Sequence, residues 1–168
     1  MHEEKIKNQI LTSIAPCSMF CQTCTGCKYG SISYHAKKLI HLLKGHEEFL
    51  KHNLKPEYQH KLKEFHIFHK KLKKYAEPKC GGCRENRHPN CCIKNCIIPE
   101  CAKKHNVFFC ADCPEFPCNN INEDTYKTTT IKKWKTGNEE IQKIGIENYY
   151  EKYKDISHYI SYSKNIKN

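Results

Sequence analysis

A chain of 168 residues is the length of one domain, but only 38% of it is hydrophobic and thirteen cysteines are part of that share, so the aliphatic core must be thin. No stretch approaches the roughly twenty apolar residues of a membrane-spanning helix, which excludes that class. The formal charge of +11, from 29 basic and 18 acidic residues, invites a polyanion-binding reading; the scarcity of arginine, present only as Arg84 and Arg87, weakens it, since Arg is the side chain suited to bidentate phosphate and guanine contacts.

In chain order, residues 3–15 read as a short helix leading into a first cysteine cluster over 17–30, which holds Cys17, Cys21, Cys24 and Cys27 with Gly26 and Gly30 as turn residues. From Ser33 the pattern becomes helical: Leu39, Leu42, Leu43, His46, Phe49, Leu50 and Leu54 recur at spacings of three and four, predicting one buried stripe. Pro56 suits a first helical turn, and Tyr58, Leu62, Phe65, Phe68, Leu72 and Tyr75 repeat the stripe. Residues 33–76 are thus expected to form a helical hairpin, ended by Pro78. A second cysteine cluster over 80–118 carries Cys80, Cys83, Cys91, Cys92, Cys96, Cys101, Cys110, Cys113 and Cys118 among glycines and prolines, and reads as loops with one helical turn near Ala102. A polar linker over 119–130 follows, then a short segment around Trp134 and a last helix over 138–160 with Ile141, Ile144, Ile146, Tyr149, Tyr150 and Tyr153 as its apolar positions. The predicted fold is mainly α, a helical hairpin and a C-terminal helix packed on irregular cysteine-rich knuckles in a single domain.

The cysteines carry the chemistry. The opening Met1-His2-Glu3-Glu4-Lys5 leads into no apolar stretch of signal-peptide length, and the short run before Cys17, interrupted by Thr12 and Ser13, is a poor lipoprotein signal. A cytoplasmic, reducing setting is therefore expected, in which closely spaced thiols are metal ligands rather than disulfides. Cys80-Gly-Gly-Cys83 and Cys110-Ala-Asp-Cys113 are spaced like the two knuckles of a zinc ribbon, the strongest signal present. Between them, Cys91 to Cys96 and Cys96 to Cys101 form two overlapping C-x-I-x2-C units, which cannot both be used identically. Twelve thiolates on three zinc ions would change the charge by about −6, taking +11 to about +5, and make the basic signal ordinary.

The rivals are specific. Cys17-x3-Cys21-x2-Cys24 has the spacing of a radical S-adenosylmethionine cluster motif, but Thr23 stands where an aromatic is usual and the chain is short and helical. Cys21-x2-Cys24-x2-Cys27 matches three ferredoxin ligands with Cys113-Pro114 as a remote fourth, keeping an iron–sulfur cluster as the alternative cofactor to zinc. His88, His105 and the pair His66 and His69 could replace or supplement thiolates. Cys92, near Arg87 and Lys94, is either a spare ligand or a low-pKa thiol. Lys61, Lys63, Lys70, Lys71, Lys73 and Lys74 would carry a nucleic-acid interface.

Taken together, Cys17-Ser-Met-Phe-Cys21-Gln-Thr-Cys24, Cys80-Gly-Gly-Cys83-Arg84, Cys96-Ile-Ile-Pro-Glu-Cys101-Ala102 and Phe109-Cys110-Ala-Asp-Cys113-Pro-Glu-Phe-Pro-Cys118 resemble the cysteine-rich family named Domain of Unknown Function 3795. The closing segment 141–149 is similar to longer members, extending the resemblance over nearly the whole chain. The resemblance implies a zinc-binding protein without an established biochemical role, and its motif falls on Cys17, Cys21, Cys24, Cys80, Cys83, Cys96, Cys101, Cys110, Cys113 and Cys118. Ser18 departs from a common glycine, and Cys27, Cys91 and Cys92 are extras. Spacing and resemblance together give a metal-ligand set of these ten plus Cys27 and Cys91, with Cys92 the odd one out. Sites so rich in thiolate favour structural over catalytic metal, because four thiolates leave zinc a poor Lewis acid; no catalytic residue set stands out. The expected role is a non-enzymatic, interaction or adaptor module with a protein partner.

Overall fold

The computed structural model describes residues 2–85, 93 and 95–160; among these the chain forms helices α1 (His2–Ser13), α2 (Ser31–Leu42), α3 (His46–Asn53), α4 (Gln59–Ala76), α5 (Ile98–Lys104), α6 (Thr128–Ile144) and α7 (Ile146–Tyr153), with single 3-10 turns at Pro56–Tyr58 and Cys110–Asp112. There is no strand among them, only isolated bridges between Ile14 and Phe20 and between Cys27 and Cys80. No described helix is long and apolar enough to cross a membrane.

The body of the fold is built on α1, α6 and α7. Ile10 and Ile14 of α1 and its exit pack with Phe109, Ala111, Ile141, Tyr149 and Tyr150. A second cluster joins Ile98 of α5, Ile121, Tyr126 and Trp134 of α6, and its rim is made partly of Cys17, Cys96, Cys110 and Cys118. Thiol groups thus occupy places that aliphatic residues fill in an ordinary core.

The first helix of the hairpin does not run through. It breaks after Leu42 and restarts at His46, because Gly45 takes a left-handed φ of 85° that a residue without Cβ adopts at little cost. Nor is the predicted stripe buried as a whole. Ala36, Leu72 and Ala76 form its core with Ile40 and Leu43 against them, while Leu42 is 78% and Phe49 58% exposed. Two helices bury only the faces they turn to each other, and α2, α3 and α4 make their extensive contacts with one another rather than with the body. Towards the tip, His46 meets Phe49 and Phe65 ring to ring, and Phe65 stacks on His69. The hairpin is an arm joined at its base, where Ser33 Oγ donates to the Ala76 carbonyl at 3.2 Å and Cys27 pairs with Cys80.

The expected C-terminal helix over 138–160 is also two helices, and it begins earlier. α6 starts at Thr128, inside the stretch read as a linker, and Gly145 at φ 79° separates it from α7. Thr128, Thr129 and Thr130 hid the start, being polar and β-branched. Asn138 hid the face: it lies between Trp134 and Ile141 on the inward side and is fully buried. Beyond α7 the chain folds back on the first cysteine cluster, where Thr23 Oγ1 donates to the Ile156 carbonyl at 2.8 Å and accepts from the His158 N–H at 2.9 Å.

Candidate metal centre

The eleven described cysteines are all free thiols, and the folding of the chain brings them into three adjoining neighbourhoods, with Cys17 in electrostatic reach of Cys110 and Cys21 of Cys24 and Cys27. Cys91 and Cys92, with His88, lie outside the described residues. The best-defined neighbourhood is Cys101, Cys110, Cys113 and Cys118. All four line one cavity of about 20 Å³, closed by Ala102, His105, Val107, Phe116 and Trp134, a volume on the scale of a single small occupant. Burial pushes the Cys110 thiol up to about 11, the Trp134 indole N–H works against this, and the charges of Cys118, Cys101 and Cys113 raise it further. Cys101 is raised by burial and then by Cys118 and Cys113.

Local hydrogen bonds fix this neighbourhood. Cys110 N–H donates to the Pro16 carbonyl at 2.9 Å, and Cys113 N–H to Cys110 at 3.1 Å, closing the turn between them. Asp112 accepts the Phe109 N–H at 3.2 Å. Asn138 then ties the turn to α6: its Oδ1 accepts the Ala111 N–H at 2.9 Å and its Nδ2 donates to the Trp134 carbonyl at 2.8 Å. Gln142 Nε2 holds the Ala111 carbonyl at 2.9 Å. Trp134, 5% exposed, packs edge-on to Phe116. Its indole N–H is buried with no hydrogen bond formed, yet it faces the Cys110 sulfur closely enough to favour a thiolate there.

The second neighbourhood gathers Cys17, Cys21 and Cys83. Cys17 sits in the tight turn between Ala15 and Met19, whose backbone bond spans 2.9 Å. Burial drives its thiol up to about 12, the Met19 N–H opposes this, and Cys83, Cys96 and Cys110 raise it again. Cys21 is raised by burial, then by Cys83 and Cys17, and further by Cys27 and Cys24. Cys96 joins at the edge, where its sulfur accepts the Tyr126 hydroxyl at 3.5 Å. Arg84 follows Cys83 and is partly buried. Its guanidinium donates to the Leu11 carbonyl at 2.8 Å, to Ile14, and to Phe108 at 2.5 Å, and it stacks over Phe109. One of the two arginines is therefore spent on the C-terminal end of α1, where a cation is favoured, beside the thiols it can neutralise.

The third neighbourhood lies at the base of the arm. Cys27, 3% exposed, and Cys80 pair in parallel, with Lys28 N–H donating to the Cys80 carbonyl at 2.9 Å and Cys80 N–H to Gly26 at 3.1 Å. Cys27 is raised by burial, eased by the Tyr29 N–H, and raised again by Cys80 and Cys24. Gly26 N–H donates to the Cys24 sulfur at 3.4 Å. A pattern runs through the first cluster: Cys17, Cys24 and Cys27 each face the N–H two residues on, that of Met19, Gly26 and Tyr29. Such an N–H stabilises a thiolate without neutralising it.

The zinc-ribbon pairing expected from the sequence does not form. Cys80 lies with Cys24 and Cys27, Cys83 with Cys17 and Cys21, and Cys110 and Cys113 close on Cys101 and Cys118. Gly82, at φ 91°, lies between Cys80, an electrostatic neighbour of Cys27, and Cys83, one of Cys17 and Cys21. Of the ferredoxin-like grouping, Cys21, Cys24 and Cys27 stay within electrostatic reach of one another, while Cys113 lines the cavity with Cys101, Cys110 and Cys118. His105 reaches the cavity wall, but its Nδ1 lies 2.9 Å from the Cys101 carbonyl and its Nε2 3.3 Å from Glu115. His66 and His69 are on the arm, His66 3.9 Å from Glu47. Among the described residues, no three Cys, His, Asp or Glu side chains converge at metal-ligand spacing; the four thiols of the first neighbourhood stand around their cavity. As donors they fit a soft cation: four sulfurs, no competing carboxylate in the lining, and one buried N–H facing a sulfur. Trp134, Asn138 and Arg84 escaped the sequence reading as parts of the site, the first two because they lie on a helix whose start was hidden.

No curated protein and no solved structure matches the chain. A family model does, over residues 13–123, which takes in both cysteine clusters and the arm and stops before α6 and α7, a shorter span than the resemblance suggested. On that match the chain belongs to the DUF3795 family, described as protein of unknown function.

Proposed function

We propose that the chain is a non-enzymatic metal-binding protein whose thiols hold zinc as a structural element, with Cys101, Cys110, Cys113 and Cys118 as its principal site. The observation that supports this most is the small cavity lined by all four thiols, with the buried indole N–H of Trp134 lacking a formed bond and facing Cys110. A neutral thiol is a weak acceptor; a zinc-bound thiolate supplies the charge that this N–H lacks. Drawing the thiols inward onto one ion would close the cavity and join α5, the Cys110–Asp112 turn and the segment ending at Cys118. The same reading extends to Cys17, Cys21, Cys83 and Cys96 around Arg84, and to Cys24, Cys27 and Cys80 at the base of the arm. The need for metal follows from the core: where thiols replace aliphatic side chains, ligand bonds supply folding free energy. Four-thiolate zinc is closed and electron-rich, which suits a structural rather than a catalytic role.

The test is chelation of the purified chain followed by far-ultraviolet circular dichroism. Cooperative loss of helical signal on metal removal, restored by zinc, is expected. An unchanged spectrum after complete removal would overturn the structural role, and stoichiometric iron with labile sulfide would assign the thiols to a cluster instead.

A further inference from the structure

The positive charge of the molecule is not spread over it. Residues 31–76 carry eleven lysines against four glutamates, a net +7 of the chain's +11, and these residues form the arm. Glu47 and Glu48 are already engaged by Lys51 at 3.1 and 2.7 Å. On α4, Lys63, Lys70 and Lys74 recur at intervals of seven and four, with Lys71 beside them. All four are exposed, and none pairs with a carboxylate among the described residues. From Lys63 to Lys74 the row covers about 16 Å of helix. Aromatic rings stand exposed on the same arm, among them Tyr34, Tyr58, Phe68 and Tyr75, and two have lysine ammonium groups over them, Lys61 on Tyr58 at 4.5 Å and Lys38 on Tyr34 at 5.6 Å.

We propose that the arm is a binding surface for single-stranded nucleic acid, with the α4 lysines meeting phosphates and the exposed rings stacking on bases. Charge complementarity carries the assignment, and the details favour this polyanion. An anionic membrane would require a continuous apolar face to bury, but the exposed apolar side chains of α4, Ile67, Phe68 and Tyr75, are interspersed with its lysines, and the exposed Leu42 and Phe49 lie on the other limb of the arm, at α2 and α3. Exposed rings beside ammonium groups match stacking platforms in a positive groove. Lysine rather than arginine supplies the charge, so recognition is of the backbone and is indifferent to sequence. The arm's charge belongs to its own residues and does not rest on the metal reading. If that reading holds as well, twelve thiolates on three zinc ions would leave the rest of the chain at about −2, and the arm would be the whole of the molecule's positive end.

The experiment is fluorescence anisotropy of labelled twenty-nucleotide single strands of two unrelated sequences, titrated with the full chain from low to high salt. Binding to both is expected, with log affinity falling linearly in log salt. Replacing Lys63, Lys70, Lys71 and Lys74 by Gln should weaken it at least tenfold and flatten the slope by about 0.7 for each phosphate contact removed. A control with the same charge loss on the body, Lys5, Lys103, Lys132 and Lys143 to Gln, should keep most of the affinity. Absence of binding at low salt, equal losses in both variants, or stronger flotation with phosphatidylserine vesicles than binding to oligonucleotide would overturn the proposal. Unchanged circular dichroism of the variants keeps the comparison valid.

Discussion

Replacing Asn138 by Ala removes the tie between α6 and the Cys110–Asp112 turn. Asn138 is 0% exposed, and its amide both accepts from Ala111 and donates to the Trp134 carbonyl. The Trp134 carbonyl keeps its place in the helix, but the Ala111 N–H is left buried without a partner, at a cost of about 1–3 kcal/mol. Lost packing raises the expected total to about 2–4 kcal/mol. For a chain of this size each kcal/mol corresponds to about 2–4 °C, so thermal unfolding should fall by roughly 4–16 °C. Because the turn carries Cys110 and Cys113, zinc retention should suffer too. Competition with a chromophoric chelator should show one or more of the zinc equivalents released at least tenfold more readily, since each factor of ten is about 1.4 kcal/mol. A variant that melts within about 2 °C of the parent and holds zinc equally well would refute the view that Asn138 positions the Cys110–Asp112 turn.

Gly137→Ala should destabilise by about 1–3 kcal/mol, because a Cβ there would run into Ser18 Oγ and lie 2.9 Å from Ser18 Cβ. Ser18→Gly, at a residue held at φ 65°, should be near neutral alone and should rescue Gly137→Ala, so that urea midpoints of the double variant return towards the parent; additive losses would contradict the contact. Arg84→Lys keeps the charge but not the fork that spans Leu11, Ile14 and Phe108, and should cost about 2 kcal/mol in denaturant unfolding. The metal-free chain should also respond to alkali. Its Cys110 and Cys17 thiols are raised to about 11 and 12, above the ordinary value near 8.5. The folded state therefore holds protons that the unfolded state releases. The stability linked to these thiols is full below about pH 8.5 and is lost as pH climbs towards 11–12. The helical signal that remains after chelation should therefore fall from pH 7 to 10, whereas metal-bound thiolates have no proton to lose and the zinc-loaded chain should show no such fall.

The arm, α1 and the turn near Ala102 were legible because each rests on helical periodicity or on Pro and Gly punctuation, as at Pro56 and Pro78. What periodicity could not tell is burial: the leucines of α2 and α3 repeat correctly and yet part of their face is exposed, since among the described residues no element packs across from it. The cysteine spacings named candidate ligands but not which of them lie side by side. Cys80 and Cys83 read as one knuckle, whereas Cys80 is a neighbour of Cys27 and Cys83 of Cys17 and Cys21. Trp134 and Asn138 were invisible as site residues because their roles depend on where α6 lands, some twenty residues beyond the turn they support. A buried asparagine on an inward helical face reads in sequence as a break in the apolar pattern, though here it satisfies the backbone that carries Cys110 and Cys113.

The central claim is that these thiols hold zinc, and the most direct measurement is metal and acid-labile sulfide analysis of anaerobically purified chain, alongside a Cys113→Ser, Cys118→Ser variant. The account predicts a colourless protein with stoichiometric zinc, no sulfide, and one zinc fewer in the variant. A brown protein with iron and sulfide, a chain without metal, or a variant that retains every zinc would contradict it.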